Sequence, residues 1–173
     1  MELYLIRHTR VDADGICYGR SDVPLSSSFD DEVNNYKNLL PIKFTKVFCS
    51  PMTRCVLLSE ALGYQNVTVD ERLAEFFYGD WERKRWEEIP KEAFDGWTSD
   101  LINGGPPNGE TLYGMYTRIA SFFDELKKKN YERVLIITHA GVLRCVKAYM
   151  ENLSLSDIFY LPIGFGEVYR YSL

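Results

Sequence analysis

The chain has 173 residues, 46% of them hydrophobic and 26% charged, with a formal net charge of −5. That is the make-up of one folded domain with a full core, spanning residues 1–173, and it excludes a disordered chain. Basic runs such as Lys127-Lys128-Lys129 are no longer than three residues, which argues against the basic stripe of a nucleic-acid binder. Any attraction for an anionic substrate must come from a local cluster of arginines.

No apolar run reaches the roughly 18 residues of a membrane span. Glu2 opens directly into a strand pattern, without the basic start and apolar stretch of a signal peptide. The four cysteines, Cys17, Cys49, Cys55 and Cys145, form no C-x-x-C pair, and two histidines cannot complete a zinc-finger pattern. The expectation is a reduced, cytoplasmic protein with no metal, no other cofactor, and no nucleic-acid or membrane partner. The sequence carries no signal for an oligomeric state.

In chain order, Glu2 to His8 reads as a buried strand. A loop rich in Asp, Gly and Pro follows, from Thr9 to Leu25. Ser26-Ser27-Ser28 then precede the capped start of a helix from Phe29 to near Leu40-Pro41. Lys46-Val47-Phe48-Cys49 is a second strand. Ser50 and Pro51 suit the N-cap and first position of a helix over Met52–Leu62, stopped by Gly63. Val67-Thr68-Val69 is a short strand, Arg72–Trp86 is irregular, and residues 87–100 are helical but mostly polar. Residues 103–109 are a break. Glu110–Lys129 is the longest helix, with Leu112, Met115, Ile119, Phe122, Phe123 and Leu126 as its core stripe. A strand from Arg133 to Thr138, a helix over Val142–Met150 opened by Gly141, and an edge strand over Glu167–Tyr171 complete the chain. The alternation predicts an α/β fold, a three-layer α/β/α sandwich around a mainly parallel sheet.

Only two histidines occur, His8 and His139, each at the end of an apolar strand. Ligands of open α/β sheets bind outside the carboxyl ends of the strands. Two imidazoles brought to that edge, one directly after Arg7, suggest a site built to attack an anionic group. Arg54 falls in the first turn of a helix that starts at a strand's carboxyl end, where anions are favoured. It reads equally well as a surface arginine.

The segment Leu5-Ile6-Arg7-His8-Thr9 resembles the R-H-G/T signature of the histidine phosphatase superfamily, which has the phosphoglycerate-mutase-like fold. Four further segments match in order: Ser50-Pro51 with Arg54; Glu75 to Glu82 as E-x-x-x-G-x-W-E; Gly109-Glu110-Thr111; and Thr138 to Arg144 around the second histidine. The first loop, with Gly15-Ile16-Cys17-Tyr18-Gly19-Arg20 and Asp22-Val23-Pro24-Leu25, is similar to the alpha-ribazole phosphatase branch. Those enzymes remove the 5′-phosphate of alpha-ribazole phosphate in assembling the nucleotide loop of vitamin B12.

The resemblance implies a metal-independent phosphomonoesterase acting on a small phosphate monoester through phosphohistidine. His8 would be the nucleophile, with its other ring nitrogen held by a carbonyl. Arg7 and Arg54 would grip the phosphoryl oxygens. His139 would join them as a charged donor, with a backbone N–H at Ala140 or Gly141 nearby. Glu75 would be the general acid and then the base, surrounded by Phe76, Phe77, Tyr78 and Trp81. Glu71, Asp80 and Glu82 rank below it.

Cys17, Tyr18 and Arg20 are candidate contacts to the leaving group, although Cys17 and Tyr18 read equally well as loop packing. Arg83 stands where family members often carry Gly, and Ser27-Ser28-Phe29 where the family usually has one. The alternatives are a broad-specificity or sugar-phosphate phosphatase, a phosphoglycerate mutase, and, from another class, a non-catalytic phospho-ligand binder.

Overall fold

The computed structural model describes all 173 residues. Its strands are β1 (Glu2–Arg7), β2 (Lys46–Cys49), β3 (Thr68–Val69), β4 (Arg133–Thr138) and β5 (Val168–Ser172). They form one sheet in the order β3-β2-β4-β1-β5, with every pairing parallel except the edge strand β5 on β1. The helices are α1 (Phe29–Leu39), α2 (Thr53–Ala61), α3 (Lys91–Ser99), α4 (Leu112–Leu126), α5 (Ala140–Glu151) and the short α6 (Leu155–Ile158).

Strand alternation divides the core between two faces. Leu3, Leu5, Val134 and Ile136 pack with the buried residues of α4 and α5 on one side. Ile6, Leu135, Ile137, Val47 and Cys49 pack with Val33 and Tyr36 of α1 and Leu58 of α2 on the other. This is the expected three-layer sandwich. The whole predicted stripe of α4, from Leu112 to Leu126, is buried. No helix is long and apolar enough to cross a membrane.

Register positions the site. Arg7 pairs with Thr138, and the His8 N–H donates to the Thr138 carbonyl at 2.9 Å. Cys49 pairs with Ile137, and the Ser50 N–H donates to the Ile137 carbonyl at 2.9 Å. His8, His139 and Ser50 therefore stand together at the carboxyl ends of three adjacent parallel strands.

Two predicted caps differ. Ser50 does not cap α2, which begins at Thr53 with Met52 in the cap position. The Ser50 side chain is directed to His139 instead. The Ser28 hydroxyl donates to Glu32 Oε1 at 2.6 Å, so it too makes no cap bond.

The first loop and the acid segment are joined by a short ribbon. Ile16 bridges Arg85, the Arg83 N–H donates to the Cys17 carbonyl at 2.6 Å, and the Trp86 N–H donates to the Gly15 carbonyl at 2.9 Å. Arg83 sits at φ +67, the left-handed conformation that glycine adopts freely. The arginine preserves the turn while bearing the strain of a Cβ, and its side chain is exposed. Arg83→Gly is therefore expected to stabilise the fold by about 0.5–1 kcal/mol, the relieved left-handed strain less the added chain entropy. Urea denaturation checks this, and a loss of stability would contradict it.

Candidate active site

The site is a buried cluster of positive charge at the carboxyl edge of the sheet. Arg54 is 2% exposed. Its Nη2 donates to the Gly19 carbonyl at 2.6 Å and its Nη1 to the Ser21 carbonyl at 3.0 Å. Arg7 Nη1 donates to the Ile163 carbonyl at 2.9 Å, and its guanidinium lies 3.6 Å over the Phe165 ring. Arg7 Nε and Arg54 Nε are buried and have no hydrogen-bond partner.

Both histidines are buried beside these cations, with ring centroids 5.1 Å apart. His8 Nδ1 lies 2.7 Å from the Thr9 carbonyl. A carbonyl only accepts, so Nδ1 carries the proton and Nε2 keeps a lone pair. The expected tautomer is thereby fixed. Burial and the Arg54 charge hold the His8 pKa well below its ordinary value, with Arg7 adding to the effect.

His139 differs from the expectation of a charged donor. Its Nδ1 lies 3.3 Å from Arg54 Nη2, which can only donate, and its Nε2 lies 2.6 Å from Ser50 Oγ. That pattern is a neutral ring with Nδ1 accepting and Nε2 donating. Burial first, then His8 and the guanidiniums of Arg54, Arg118 and Arg7, keeps the pKa far below the ordinary imidazole value.

Glu75 reaches the same edge from the irregular segment. Its Oε1 accepts the Phe76 N–H at 2.9 Å and its Oε2 the Gly141 N–H at 3.3 Å. A Cβ at Gly141 would strike this carboxylate and approach Met115 Cε at 3.0 Å, so a larger residue there would displace Glu75 from its place. The Gly141 N–H is thus engaged by Glu75, not held free for phosphate. Ala140 opens α5, so its N–H belongs to the helix's unpaired first turn. Arg7, Glu75 and Ala140 share the wall of a cavity of about 210 Å³ with Arg144.

The three leaving-group candidates separate. Cys17 is fully buried in the core, where burial and the nearby Glu82 carboxylate push its thiol up to about 12. It presents no surface to a ligand. Arg20 turns away from the cavity: its Nε donates to the Glu75 carbonyl at 3.0 Å, and its Nη2 lies 3.3 Å from Glu110 Oε2. The half-buried Glu110 carboxylate draws it there. Tyr18 does line the cavity.

Sequence reasoning missed the residues that hold this arrangement. Arg118 of α4 pairs with Glu110 at 2.7 and 3.0 Å and donates to the carbonyls of Arg72 at 2.6 Å and Glu75 at 3.2 Å. With Arg20, it anchors the backbone that carries Glu75. Glu82 accepts the N–H groups of Arg20, Ser21 and Tyr78 at 2.9, 2.8 and 3.1 Å, and the Ser21 hydroxyl. It thereby fixes the loop whose carbonyls hold Arg54. Arg144 donates from Nε to the Leu161 carbonyl at 2.8 Å. Nothing in the sequence pattern assigns these roles to Arg118 or Arg144, and the long-range contacts reveal them. Nowhere do three or more His, Cys, Asp or Glu side chains gather as a set that could hold a metal ion.

The two depressed imidazoles make stability depend on pH. Unfolded histidines take up protons below about pH 6.5, while His8 and His139 in the fold resist protonation until lower pH. Their contribution is complete above pH 6.5 and is lost as the pH falls through the window below it. Each costs up to about 1.4 kcal/mol per pH unit. Urea midpoints should fall between pH 7 and 5.5, with a shallower slope in His8→Asn. Equal midpoints at the two pH values would contradict the neutral assignment.

Comparison with known proteins agrees with this geometry. The family model of the histidine phosphatase superfamily (branch 1) matches residues 3–173. An adenosylcobalamin/alpha-ribazole phosphatase of Escherichia coli (strain K12) is 27% identical over 96% of this chain and 87% of its own. A putative phosphoserine phosphatase 2 of Hydrogenobacter thermophilus is 30% identical over 91% of this chain and 82% of its own. The crystal structure of the alpha-ribazole phosphatase from Shigella flexneri superposes with a TM-score of 0.90 at 27% identity, covering 98% of this chain and 89% of that one. Paired histidines and arginines at one sheet edge, a carboxylate on the facing segment and a match running almost end to end have one reading: the chain belongs to the histidine phosphatase superfamily, branch 1, and is a phosphatase.

Proposed function

We propose that residues 1–173 act as one domain that hydrolyses a small phosphate monoester, alpha-ribazole 5′-phosphate, through a phosphohistidine on His8. The observation that carries the mechanism is the His8 tautomer. Nδ1 is held by the Thr9 carbonyl, so a neutral Nε2 is the free nucleophilic nitrogen.

Attack by Nε2 on phosphorus forms the N–P bond as the P–O bond to the alcohol breaks. Arg7 and Arg54 neutralise the phosphoryl oxygens in transit, and their buried, unpartnered Nε–H groups suit that anion. The first-turn N–H of Ala140 adds a donor. The dianion arriving with the substrate opposes the local positive field, which favours a proton on His139 and lets it donate as well. Glu75 gives its proton to the departing alkoxide, then takes one from the water that cleaves the phosphohistidine. The Gly141 N–H holds that carboxylate in place.

The alpha-ribazole assignment rests on the names of the Escherichia coli relative and the Shigella flexneri structure. The Hydrogenobacter thermophilus relative supplies the second reading, phosphoserine.

Phosphate release in EDTA separates them, using alpha-ribazole 5′-phosphate, phosphoserine, p-nitrophenyl phosphate, sugar phosphates and 3-phosphoglycerate. The expected result is preference for alpha-ribazole 5′-phosphate, with kcat lowered by at least about 10³-fold in His8→Ala. Comparable rates across the panel would keep the mechanism and remove the narrow substrate. Activity that survives His8→Ala, or that EDTA abolishes, would overturn the mechanism.

A further inference from the structure

The 210 Å³ cavity that Arg7 and Ala140 line is also lined by Ile16, Tyr18, Tyr78 and Trp86. Three of its nine lining residues are aromatic, beside the charged Arg7, Glu75 and Arg144. Trp86 is 37% exposed and also borders a neighbouring surface cleft beside Ile89 and Phe94. Its backbone is tied to Gly15 by the ribbon, and its ring meets Tyr78 edge-on at 5.3 Å and 88°. Tyr18 lies on the other strand of the ribbon, with the Arg54 guanidinium 5.1 Å from its ring. The aromatic surface is therefore held in place in the cavity that Arg7 and Glu75 also line.

From this we infer that the cavity is the leaving-group subsite and that it takes a planar ring, with Trp86 as the residue that determines this specificity. The inference rests on the reading that this site hydrolyses phosphate monoesters. Three features point to a ring. The volume exceeds the roughly 150 Å³ of an apolar cavity that admits benzene. The face of an indole or phenol stacks on any flat π-system. Arg144, tethered by its Nε to the Leu161 carbonyl, adds a planar guanidinium that stacks on such a ring from the wall.

The polar inventory points the same way. Glu75 is the only carboxylate lining the cavity, and its proton transfer is needed at the ester oxygen. The ammonium of phosphoserine would find no second counter-charge.

The test measures kcat/KM for wild type, Trp86→Ala and Trp86→Phe on alpha-ribazole 5′-phosphate, adenosine 5′-monophosphate, ribose 5-phosphate and phosphoserine. Trp86→Ala should lose about tenfold or more on the two ring-bearing esters relative to ribose 5-phosphate, chiefly through KM. Trp86→Phe should recover most of that loss. In wild type, alpha-ribazole without its phosphate should inhibit competitively at concentrations where ribose does not, a readout that needs no variant. Equal losses on all four esters together with no inhibition by alpha-ribazole would overturn the inference.

The two readings can fail separately. A Trp86-dependent preference for adenosine 5′-monophosphate without preference for alpha-ribazole 5′-phosphate would keep the ring subsite and remove the narrow substrate. Preference for alpha-ribazole 5′-phosphate that is indifferent to Trp86 would do the reverse.

Discussion

Two guanidiniums without an acidic partner, buried beside two imidazoles, set the terms for the rest of this molecule. Removing an ion from water without a counter-ion costs several kcal/mol. Arg7 and Arg54 form no salt bridge; backbone carbonyls hold them, Ile163 for the first and Gly19 and Ser21 for the second, with the Phe165 ring under Arg7 and His139 Nδ1 beside Arg54. Burial, with the field they create added to it, keeps both histidines neutral. It also makes a phosphate dianion the complement of the pocket. The same imbalance that costs stability creates the nucleophile and the affinity for its target.

The surrounding fold is organised to hold that imbalance still. Parallel register delivers His8, His139 and Ser50 side by side. Glu82 collects the N–H groups of the first loop and so aims the carbonyls that hold Arg54. A Cβ at Gly19, in that loop, would strike both the Glu82 carboxylate and the Phe76 carbonyl, which ties loop and acid segment at closest approach. Arg118 and Arg20 converge on the Glu75 carbonyl with Glu110 between them as the shared counter-ion. Carboxylates are thus abundant just outside the pocket, where they orient cations and backbone, while Glu75 alone reaches its edge.

Much of this was legible in the chain. The sheet, its parallel character and the α4 stripe follow from periodicity, because burial on two faces leaves a plain apolar pattern. His8 and His139 stand out because strand ends in such a sheet converge. Arg54 was visible from its place after a strand, although the cap was misread: Ser50 is drawn to His139, a partner 89 residues away that local preference cannot register. Cys17 and Arg20 show the same limit. Their loop position suggested contact with a ligand, whereas core packing claimed the thiol and Glu110 claimed the guanidinium. Arg83 is the opposite case. It stands where family members often carry Gly, and the backbone takes the left-handed turn with arginine in it.

The account stands or falls on which atom receives the phosphoryl group. Turnover of a hydrolysed monoester should be quenched in base, where phosphohistidine survives, and the protein examined by peptide mass spectrometry and 31P NMR. The account predicts one phosphoryl group on His8, attached at Nε2. Label on His139, attachment at Nδ1 of His8, or full turnover without any trapped phosphoenzyme would contradict it.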